Sequence, residues 1–315
     1  MNIVDKQNIL KEQLCTALRP IIGKKCVLLD VPYHENIGDY LIWQGTENFL
    51  RSIGCECIYR ASYGTYRKPV VGTDVTILFL GGGNWGDTWR VNTEFKVQVI
   101  QDFPDNNIII LPNTVFYEDK GLLQQDIDIL NHHSHITFCA RDKVSYALMK
   151  PLLHTDLLLL PDLAFYLPIQ MHHTISSSKG ILFIHRTDKE LSKSAKYDSL
   201  LPAEYNSSDW PTFNQKRKLK WMSHLPFSAA VDKLFHTNIN RCWCDFMQRH
   251  ITMPYMVRSG IQFIAPYSNV YATRMHGAIL AALMGKQVYM FDNSYGKNSN
   301  FYHTWLDDVD NVTLL

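Results

Sequence analysis

The sequence predicts an α/β protein with two doubly wound domains that face each other across a cleft. Short β-branched runs alternate with helical patterns along the chain, which indicates parallel sheets covered by helices. The chain has 315 residues and 46% hydrophobic content, which exceeds what one small core uses. A polar, irregular segment, PIQMHHTISSSK, interrupts the alternation between Leu167 and Gly180. We place the domain boundary there, which predicts domains over residues 1–172 and 173–315.

The predicted helices and strands follow each other in a simple order. A polar amphipathic helix, MNIVDKQNILKEQL, opens the chain. Strands are predicted at residues 25–31, 75–80, 107–111, 136–139, 157–160, 180–184, 270–273 and 287–291. The second half is also predicted to contain a loop-rich insertion at residues 187–214 and one long helix at about residues 227–250.

Composition and charge exclude several classes of protein. Thirty-one Lys and Arg residues balance 30 Asp and Glu residues, so no global field attracts nucleic acid or draws the whole chain to a membrane. Any anion must therefore be bound locally. The first residues lack the regions of a signal peptide, and no uncharged run approaches the roughly 20 apolar residues that span a bilayer. We therefore expect a cytoplasmic protein, with buried free thiols at its seven cysteines.

The first candidate site follows the first strand, because ligands of open parallel sheets bind beyond the carboxyl ends of strands. The stretch 33-YHENIGDYLIWQGTENFLRSIG-54 predicts a helix that begins near Asp39. One interpretation makes Asp39 the N-cap of this helix. The other lets the backbone at Asn36 and Gly38 approach a ligand while the Asp39 carboxylate orients a hydroxyl.

The second candidate site is the glycine-rich stretch 75-VTILFLGGGNWGD-87, which matches GxGxxG literally. A dinucleotide site would also need an acidic residue at the end of the next strand, and that strand ends in Pro112 and Asn113. We therefore predict a flexible loop with accessible backbone that lines a cleft. Gly83 would lie close to the ligand, and Asn84 and Asp87 would bind hydroxyls.

The third candidate site is Arg141 in 136-ITFCARDKVSYALMK-150, at the end of a predicted strand. Asp142 is predicted to cap the helix that follows. Arg141 could bind an anion in the cleft, or it could serve structure alone by pairing with Asp142 or Asp162.

The fourth candidate site is 271-YATRMHGAILAALMG-285, where an apolar strand runs into an apolar helix. A helix N-terminus attracts anions, and the planar guanidinium of Arg274 adds a fork that fits carboxylate or phosphate. His276 at the helix entrance is the preferred proton carrier, with a helix cap or packed core residue as the alternative.

Two further polar stretches are less specific. The segment 292-DNSYGKNSNFYHTW-305 predicts a ligand-facing loop with Lys297, Asn298 and Asn300 as candidates, although an ordinary surface loop has the same composition. The basic run 216-KRKLKW-221 could contact a membrane surface that carries a lipid-linked sugar, or it could simply be solvated.

In combination and in this order, NIGDYLIWQG, LGGGNWGD, CARD, PDLAF and TRMHGAILAALMG resemble the motif set of the polysaccharide pyruvyl transferase family, over roughly residues 36–305. The resemblance implies two Rossmann-like domains in a GT-B-like arrangement, an acceptor side first and a phosphoenolpyruvate side second, with the last 20 or so residues packing back on the first domain. It also implies transfer of pyruvate from phosphoenolpyruvate onto two hydroxyls of a sugar as a cyclic ketal, in exopolysaccharide or capsule biosynthesis. Neither a metal nor a cofactor is expected.

The resemblance also assigns roles to residues. It carries the family's phosphoenolpyruvate site onto Arg141 and onto the Arg-x-His unit at residues 274–276, and its Arg-x-Asp-x-Glu pattern onto residues 186–190. His276 would protonate the donor, or only bind phosphate while Asp39 activates the sugar. The predicted catalytic residues are His276, Arg274 and Asp39, and the predicted substrate-binding residues are Arg141, Met275, Asn36, Gly38, Gly82, Gly83, Asn84, Arg186, Lys297 and Asn298.

Two other functions fit part of the sequence. A nucleotide-sugar glycosyltransferase would share the fold, but such enzymes usually hold the ribose with a late carboxylate, and no glutamate follows Glu204. A carbohydrate-binding protein without catalysis would use Trp85, Trp89 and Trp305 as stacking platforms. The expected partners are phosphoenolpyruvate and a sugar or lipid-linked oligosaccharide, with no nucleic acid and at most peripheral membrane contact.

Overall fold

The computed structural model describes residues 1–168, 180–192, 197–214, 234 and 239–315. Four predicted features lie wholly or partly outside these residues. They are the domain boundary between residues 172 and 173, residues 193–196 of the insertion predicted at residues 187–214, the basic run at residues 216–221 and most of the amino-terminal half of the helix predicted at residues 227–250.

The first half of the chain forms a seven-stranded parallel sheet with the order β2-β1-β3-β5-β6-β7, in which β4 also pairs with β5. Its strands are β1 (Lys25–Leu29), β2 (Glu56–Ala61), β3 (Thr76–Phe79), β4 (Gly82–Gly86), β5 (Ile108–Phe116), β6 (Ile136–Ala140) and β7 (Asp156–Leu159). Its helices are α1 (Ile3–Leu18), α2 (Ile37–Ser52), α3 (Arg90–Asp102), α4 (Lys120–His132) and α5 (Lys143–Met149).

The second half forms a five-stranded parallel sheet with the order β12-β11-β10-β8-β9. Its strands are β8 (Ile181–Ile184), β9 (Asn206–Ser208), β10 (Asn269–Ala272), β11 (Gln287–Met290) and β12 (Val312–Leu314). Its helices are α6 (Ile239–Met247), α7 (Met253–Ile264), α8 (Met275–Leu283) and α9 (Lys297–Trp305), with a π-helical segment, Gln248–Thr252, between α6 and α7. Two parallel sheets with helices between the strands confirm the mixed α/β prediction and are consistent with Rossmann-like, doubly wound domains.

Every predicted strand overlaps a strand of the structure, but four strands were not predicted: β2, β4, β9 and β12. The predicted loop after β3 is the strand β4, which pairs with the second half of β5. β5 is longer than predicted because it continues past Pro112, where its pairing with β6 shifts register. Proline has no amide hydrogen to donate to a sheet ladder, so a strand tolerates it at such an irregularity.

Three helix predictions also need correction. Helix α2 begins at Ile37 with Asn36 as its N-cap, so Asp39 does not cap it. The segment at residues 297–305, predicted as a loop, is helix α9. The long helix predicted to end near residue 250 continues through the π-helical segment to Ile264.

Helix α2 connects the two sheets, because it packs against both α7 and the 3₁₀ turn Leu163–Tyr166. One hydrophobic core therefore contains buried residues from both halves, such as Leu28 and Trp43 from the first and Leu182 and Ile279 from the second. A second core, which includes Phe79, fills the other face of the first sheet.

Helix α9 also connects the halves. The indole Nε1 of Trp305 donates to the carbonyl of Arg141 at 2.6 Å, and the amide of Lys143 donates to Oγ1 of Thr304 at 3.1 Å. Within the described part of the chain, no helix is long and apolar enough to cross a membrane.

Candidate active site

A cleft of about 410 Å³ lies where the carboxyl ends of strands from both sheets meet. Residues that follow β1, β3, β8, β10 and β11 line it, which is the position expected for a ligand site in parallel sheets. Eleven of the predicted site residues line this cleft: Asn36, Gly38, Asp39, Gly83, Asn84, Arg186, Arg274, Met275, His276, Lys297 and Asn298.

Two predicted site residues do not line the cleft. Arg141 is fully buried behind Gly83, with its Nη2 3.1 Å from the position that a Cβ on Gly83 would take. Gly82 begins β4, and a side chain there would face Ile42 of α2 at 3.7 Å. Close backbone approach is therefore needed at Gly83, where a Cβ would also lie 2.3 Å from Nζ of Lys297.

Arg274 occupies the N-cap position of α8 and is held by two carboxylates. Its Nε and Nη2 bind Asp209, with 2.7 Å between Nη2 and Oδ2, and Nη2 lies 3.1 Å from Asp188. Its guanidinium carbon lies 4.9 Å from the centre of the Phe213 ring. These contacts fix the plane of the guanidinium, while within the described ranges its Nη1 donates no hydrogen bond.

Arg186 and Lys297 stand beside Arg274 and share Glu190. Nη1 of Arg186 lies 2.9 Å from Glu190, and Nζ of Lys297 lies 3.4 Å from the same Oε2 atom. Burial would raise the pKa of Glu190, but Lys297 and Arg186 hold that pKa well below its usual range. Burial lowers the pKa of Lys297 although Glu190 opposes this shift. We call Arg186, Arg274 and Lys297, with Asp188, Glu190 and Asp209, the cationic wall.

His276 is held by a buried carboxylate. Its Nε2 lies 3.1 Å from Oδ2 of Asp162, which also accepts from Nη1 of Arg141 at 2.7 Å and, through Oδ1, from the amide of Ala164 at 2.8 Å. Burial would raise the pKa of Asp162, but His276 and Arg141 keep that pKa well below its usual range. We call Arg141, Asp162 and His276 the His276 triad. Such a carboxylate orients an imidazole.

The other side of His276 faces α2. A Cβ on Gly38 would lie 3.0 Å from both Cβ and Nδ1 of His276, so only glycine lets the two elements approach this closely. Gly38 is therefore needed to admit the imidazole, rather than only to expose a backbone amide.

Asp39 keeps a partly free carboxylate at the mouth of the cleft. Its Oδ2 accepts from Nδ2 of Asn36 at 2.9 Å and lies 3.4 Å from Nε2 of His34. Asn36 caps α2 through its Oδ1, which accepts from the amide of Gly38 at 3.2 Å. Because Asn36 takes the capping role, the carboxylate of Asp39, whose side chain is 30% exposed, can meet a ligand.

Asn84 binds both members of a buried ion pair, Lys96 and Asp30, on the side of the cleft that the first sheet forms. Nζ of Lys96 lies 2.9 Å from Asp30 and donates to Oδ1 of Asn84 at 2.6 Å, while Nδ2 of Asn84 donates to Asp30 at 2.9 Å. Burial lowers the pKa of Lys96, and Asp30 opposes this shift. Asp87, predicted to bind hydroxyls, instead accepts from the amides of Glu118 and Asp119 and is absent from the cleft lining.

The three tryptophans predicted as possible stacking platforms for a sugar lie in different environments. Trp85 is buried and packs edge-on against Phe138, and Trp305 is buried. Trp89 lines the cleft, but its Nε1 donates to Glu190 at 2.9 Å and the ammonium of Lys189 lies 3.9 Å from its ring centre. Two of the three predicted platforms are thus core residues.

Sequence alone did not identify three acidic residues of the site, or identified only one of their contacts. Asp209 lies in the loop-rich insertion, where nothing in the pattern marks one acidic residue as the partner of Arg274. Asp162 was considered only as a partner of Arg141, although it binds His276 as well. Asp30 lies near the end of the strand predicted at residues 25–31 and directly follows β1 in the structure, and that position was the signal that could have found it.

The described residues contain no group of three or more His, Cys, Asp or Glu side chains arranged to hold a metal ion.

Comparisons with known proteins agree on one family. The family model described as polysaccharide pyruvyl transferase matches residues 36–295. The protein EpsO of Bacillus subtilis, named provisionally as a pyruvyl transferase, is 29% identical over 314 residues that cover 97% of this chain and 93% of EpsO. Pyruvyl transferase 1 of Schizosaccharomyces pombe is 27% identical over 297 residues, which cover 90% of this chain and 70% of that protein.

A solved structure shows the same fold. It is the crystal structure of a functionally uncharacterized protein, KP1_0663, from Klebsiella pneumoniae, with a TM-score of 0.65 and 20% sequence identity. The alignment covers 97% of this chain and 98% of that one.

Proposed function

The chain belongs to the polysaccharide pyruvyl transferase family, and from this premise we propose that it transfers pyruvate from phosphoenolpyruvate to two hydroxyls of a sugar as a cyclic ketal. It is a pyruvyltransferase of polysaccharide biosynthesis. The observation that carries the finer proposal is the meeting, in one cleft, of the cationic wall and the carboxylate-bound His276.

Phosphoenolpyruvate carries a carboxylate and a phosphate on a three-carbon frame, so its site needs several cationic donors a short distance apart. Arg186, Arg274 and Lys297 supply them from one side of the cleft. Protein carboxylates fix these side chains in place, which lowers the cost of organising them around a small dianion. The first turn of α8 adds amides and a helix dipole next to Arg274.

We propose that His276 donates a proton to the methylene carbon of the donor. The neighbouring carbon then becomes electrophilic, and one sugar hydroxyl attacks it and passes its proton to the imidazole of His276. The second hydroxyl then forms the other C–O bond as the C–O bond to phosphate breaks, and its proton leaves with the phosphate. Overall, phosphoenolpyruvate and a diol give a ketal and hydrogen phosphate. Asp162 orients the imidazole, and the cationic wall holds the negative charge of the leaving phosphate.

A second assignment of roles uses the same residues. His276 would then only bind the phosphate, and Asp39 would act as the base that removes a proton from the attacking hydroxyl. The partial exposure of Asp39 at the mouth of the cleft supports such a contact with the acceptor.

We propose an indirect role for Arg141. Its guanidinium is buried and bound to Asp162 and Thr114, so it acts through the orientation of Asp162 and His276, while its charge lies close behind Gly83. Direct contact with phosphoenolpyruvate, which the family resemblance implies, would need this side chain to reach past Gly83.

We further propose that the two sheets belong to two domains, residues 1–172 and 173–315, in a GT-B-like arrangement. The second domain supplies the cationic wall and the first faces the acceptor, which suits the separation of charged residues between the two sheets. The acceptor is a sugar or lipid-linked oligosaccharide of exopolysaccharide or capsule synthesis. The enzyme acts in the cytoplasm without a cofactor or nucleic acid, with at most peripheral membrane contact.

The test is incubation of the purified chain with phosphoenolpyruvate and a panel of sugar acceptors. We expect equal amounts of phosphate and of a pyruvylated sugar, identified by mass spectrometry and by a ketal methyl signal in NMR spectra. Parallel reactions with nucleotide sugars distinguish the glycosyltransferase alternative. Glycosyl transfer from a nucleotide sugar, with no consumption of phosphoenolpyruvate, would overturn the proposal.

A further inference from the structure

A second recess opens directly beside the cleft. It also has a volume of about 410 Å³, and the two cavities share His34, Asp39, Tyr63, Asn84 and Asn92 as lining residues. The recess lies beyond the carboxyl ends of β1 and β3. In the strand order β2-β1-β3, the strand after β1 pairs on one side of it and the next strand pairs on its other side. The order of the strands therefore reverses at β1, and open parallel sheets bind ligands at such a reversal.

The recess and the cleft differ in the cationic side chains that line them. The cleft is lined by Arg186, Arg274 and Lys297 from the second half of the chain, together with the carboxylates of Glu35, Asp39, Asp188 and Glu190. Among the described residues that line the recess there are two carboxylates, of Asp30 and Asp39, and no lysine or arginine. The charge of Asp30 is balanced by Lys96, so the lining of the recess offers a second anion no lysine or arginine to bind, whereas a neutral polyol can donate its hydroxyls to carboxylate and amide oxygens.

The wall of the recess contains two amides whose orientation is fixed. Nδ2 of Asn92 donates to Oδ1 of Asp30 at 2.8 Å, and Nδ2 of Asn84 donates to Oδ2 at 2.9 Å. A carboxylate accepts only, so each amide must turn its nitrogen toward Asp30 and its oxygen away. Within the described part of the chain, Oδ1 of Asn92 accepts no hydrogen bond, so it is available to a ligand hydroxyl.

Asp30 itself has an uncommon backbone conformation. It is the one non-glycine residue with positive φ, 61°, in the described chain, and it directly follows β1. Its side chain is nearly fully buried against Lys96. A residue in this conformation persists where its surroundings hold it, and such residues cluster at ligand sites. Here the conformation places the carboxylate where it holds both amides.

The rim of the recess presents an aromatic ring on a fixed turn. Tyr63 is 56% exposed, and the turn that carries it is closed by hydrogen bonds between Ser62 and Thr65, which are both buried. The amide of Ser62 donates to Oγ1 of Thr65 at 3.1 Å, and the amide of Thr65 donates to the carbonyl of Ser62 at 3.1 Å. An aromatic face beside hydrogen-bond acceptors suits the apolar face of a sugar ring.

We infer that this recess is the acceptor subsite and that it binds a neutral sugar ring. Tyr63 stacks on the ring, Oδ1 of Asn92 accepts one of its hydroxyls, and Asp39, shared by both cavities, faces the hydroxyl pair that enters the cleft. This inference rests on the proposed function for the identity of the second substrate. The binding of a sugar in the recess can nevertheless be measured without turnover.

Saturation-transfer NMR tests the inference with methyl glycosides of galactose, glucose and mannose, each with and without phosphoenolpyruvate. We expect saturation transfer from the wild-type chain to at least one of these sugars, and a loss of affinity of about tenfold in Tyr63→Ala. Asn92→Leu should weaken the sugar similarly. The affinity for phosphoenolpyruvate, measured by calorimetry, should stay unchanged in Tyr63→Ala.

The matched control is Trp243→Ala, because Trp243 is 61% exposed and lines neither cavity. Tyr63 is also exposed, so its removal leaves the core intact, and thermal unfolding checks this for Asn92→Leu. Unchanged sugar affinity in both recess variants, or no saturation transfer to any sugar, overturns the inference. A wild-type chain that binds a sugar in the recess but neither binds nor consumes phosphoenolpyruvate would instead contradict the proposed function alone.

Discussion

The His276 triad and the cationic wall are both built from cations and carboxylates, yet only the wall presents its arginines to the cleft. In the triad, Arg141 and Asp162 are fully buried and only His276 lines the cleft. In the wall, Arg274 lines the cleft together with Asp188 and Glu190, and of the wall's carboxylates Asp209 alone lies behind it. Both arginines follow a strand end in sequence, so position alone did not distinguish them. Arg141 shares its carboxylate, Asp162, with His276, whereas the carboxylate of Arg274, Asp209, does not bind the imidazole, and this difference separates the two arginines.

From this difference we propose that the triad serves the chemistry and the wall serves binding. The most severe test is His276→Asn, which removes the proposed proton donor but keeps a polar side chain. We expect turnover to fall by about 10²–10⁴-fold, because a positioned acid contributes that much. Affinity for phosphoenolpyruvate should change by less than about tenfold, since the cationic wall is intact. Steady-state kinetics and calorimetry measure the two quantities.

If His276→Asn loses affinity for phosphoenolpyruvate and turnover by the same factor, the triad and the wall do not have separate roles. His276 would then be a phosphate ligand, and Asp39→Asn should show the larger loss of turnover at saturating donor.

Gly83 lies where the two regions meet, so Gly83→Val should damage both. A Cβ there would lie 2.3 Å from Nζ of Lys297 and 3.1 Å from Nη2 of Arg141. We expect activity to fall by at least about 10²-fold, because displacement of groups by about 1 Å has effects of that size. Thermal unfolding should change much less than activity. An active Gly83→Val enzyme would show that the backbone here does not border the ligand.

Arg274→Lys tests the binding role that we propose for the cationic wall. Lysine keeps the charge but cannot reproduce the planar fork, so we expect the Kd for phosphoenolpyruvate to rise by about 10- to 100-fold. Arg141→Lys is the matched control, because its side chain is behind the cleft. It should change the Kd by less than about threefold and should lower the thermal stability instead. Calorimetry and thermal unfolding of both variants measure this.

The reverse outcome, with a larger loss of affinity in Arg141→Lys than in Arg274→Lys, would place Arg141 in direct contact with the donor. Unchanged affinity in both variants would remove the donor from this site altogether.

The smallest expected effect concerns acid stability. Asp162 in the triad and Glu190 in the wall both have pKa values held below the usual 3.8 and 4.5 of their residue types. Their stabilising contribution is complete above those usual values and is lost as the pH falls below them, because the unfolded chain then binds protons first. Between pH 5 and pH 3 we expect the Tm of both proteins to fall. The fall should be larger for the wild type than for Glu190→Gln, and the difference between the two falls should be on the order of 5 °C.

Equal Tm profiles of wild type and Glu190→Gln over this pH range would show that Glu190 does not stabilise the wall through its charge.

The strand pattern was predictable because parallel strands buried on both faces form continuous apolar runs, as β3 and β6 do. β4, with the sequence GGNWG, could not be recognised because its pairing with β5 depends on a register shift near Pro112. β9, with the sequence NSS, has no apolar residue, and β12 has only three residues, too few to show a strand pattern. Helix α9 was missed because its apolar residues Phe301 and Trp305 are embedded in a polar segment.

The site was predictable wherever a functional side chain comes at or just after the end of a predicted strand, as Arg274 and Arg141 do. The pairing of Arg141 with Asp162 was one of the alternatives from sequence, but other partners supplied by distant parts of the chain were not predictable. Asp209 reaches Arg274 from 65 residues away, and Asp162 reaches His276 from 114 residues away. Asp209 and Arg274 follow two strands of the same sheet, and Asp162 and His276 come from different halves of the chain, so both pairs depend on tertiary structure that no local pattern encodes.

Turnover in deuterium oxide tests the central claim most directly. The chain is incubated with phosphoenolpyruvate and an acceptor sugar, and the methyl group of the pyruvylated product is examined by NMR and mass spectrometry. If an acid that exchanges its proton with solvent protonates the donor, the product methyl group contains one deuterium, and one such product forms for each phosphate released. If His276 is that acid, His276→Asn forms this product far more slowly. A product methyl without deuterium, or phosphate release without a ketal, would contradict the account.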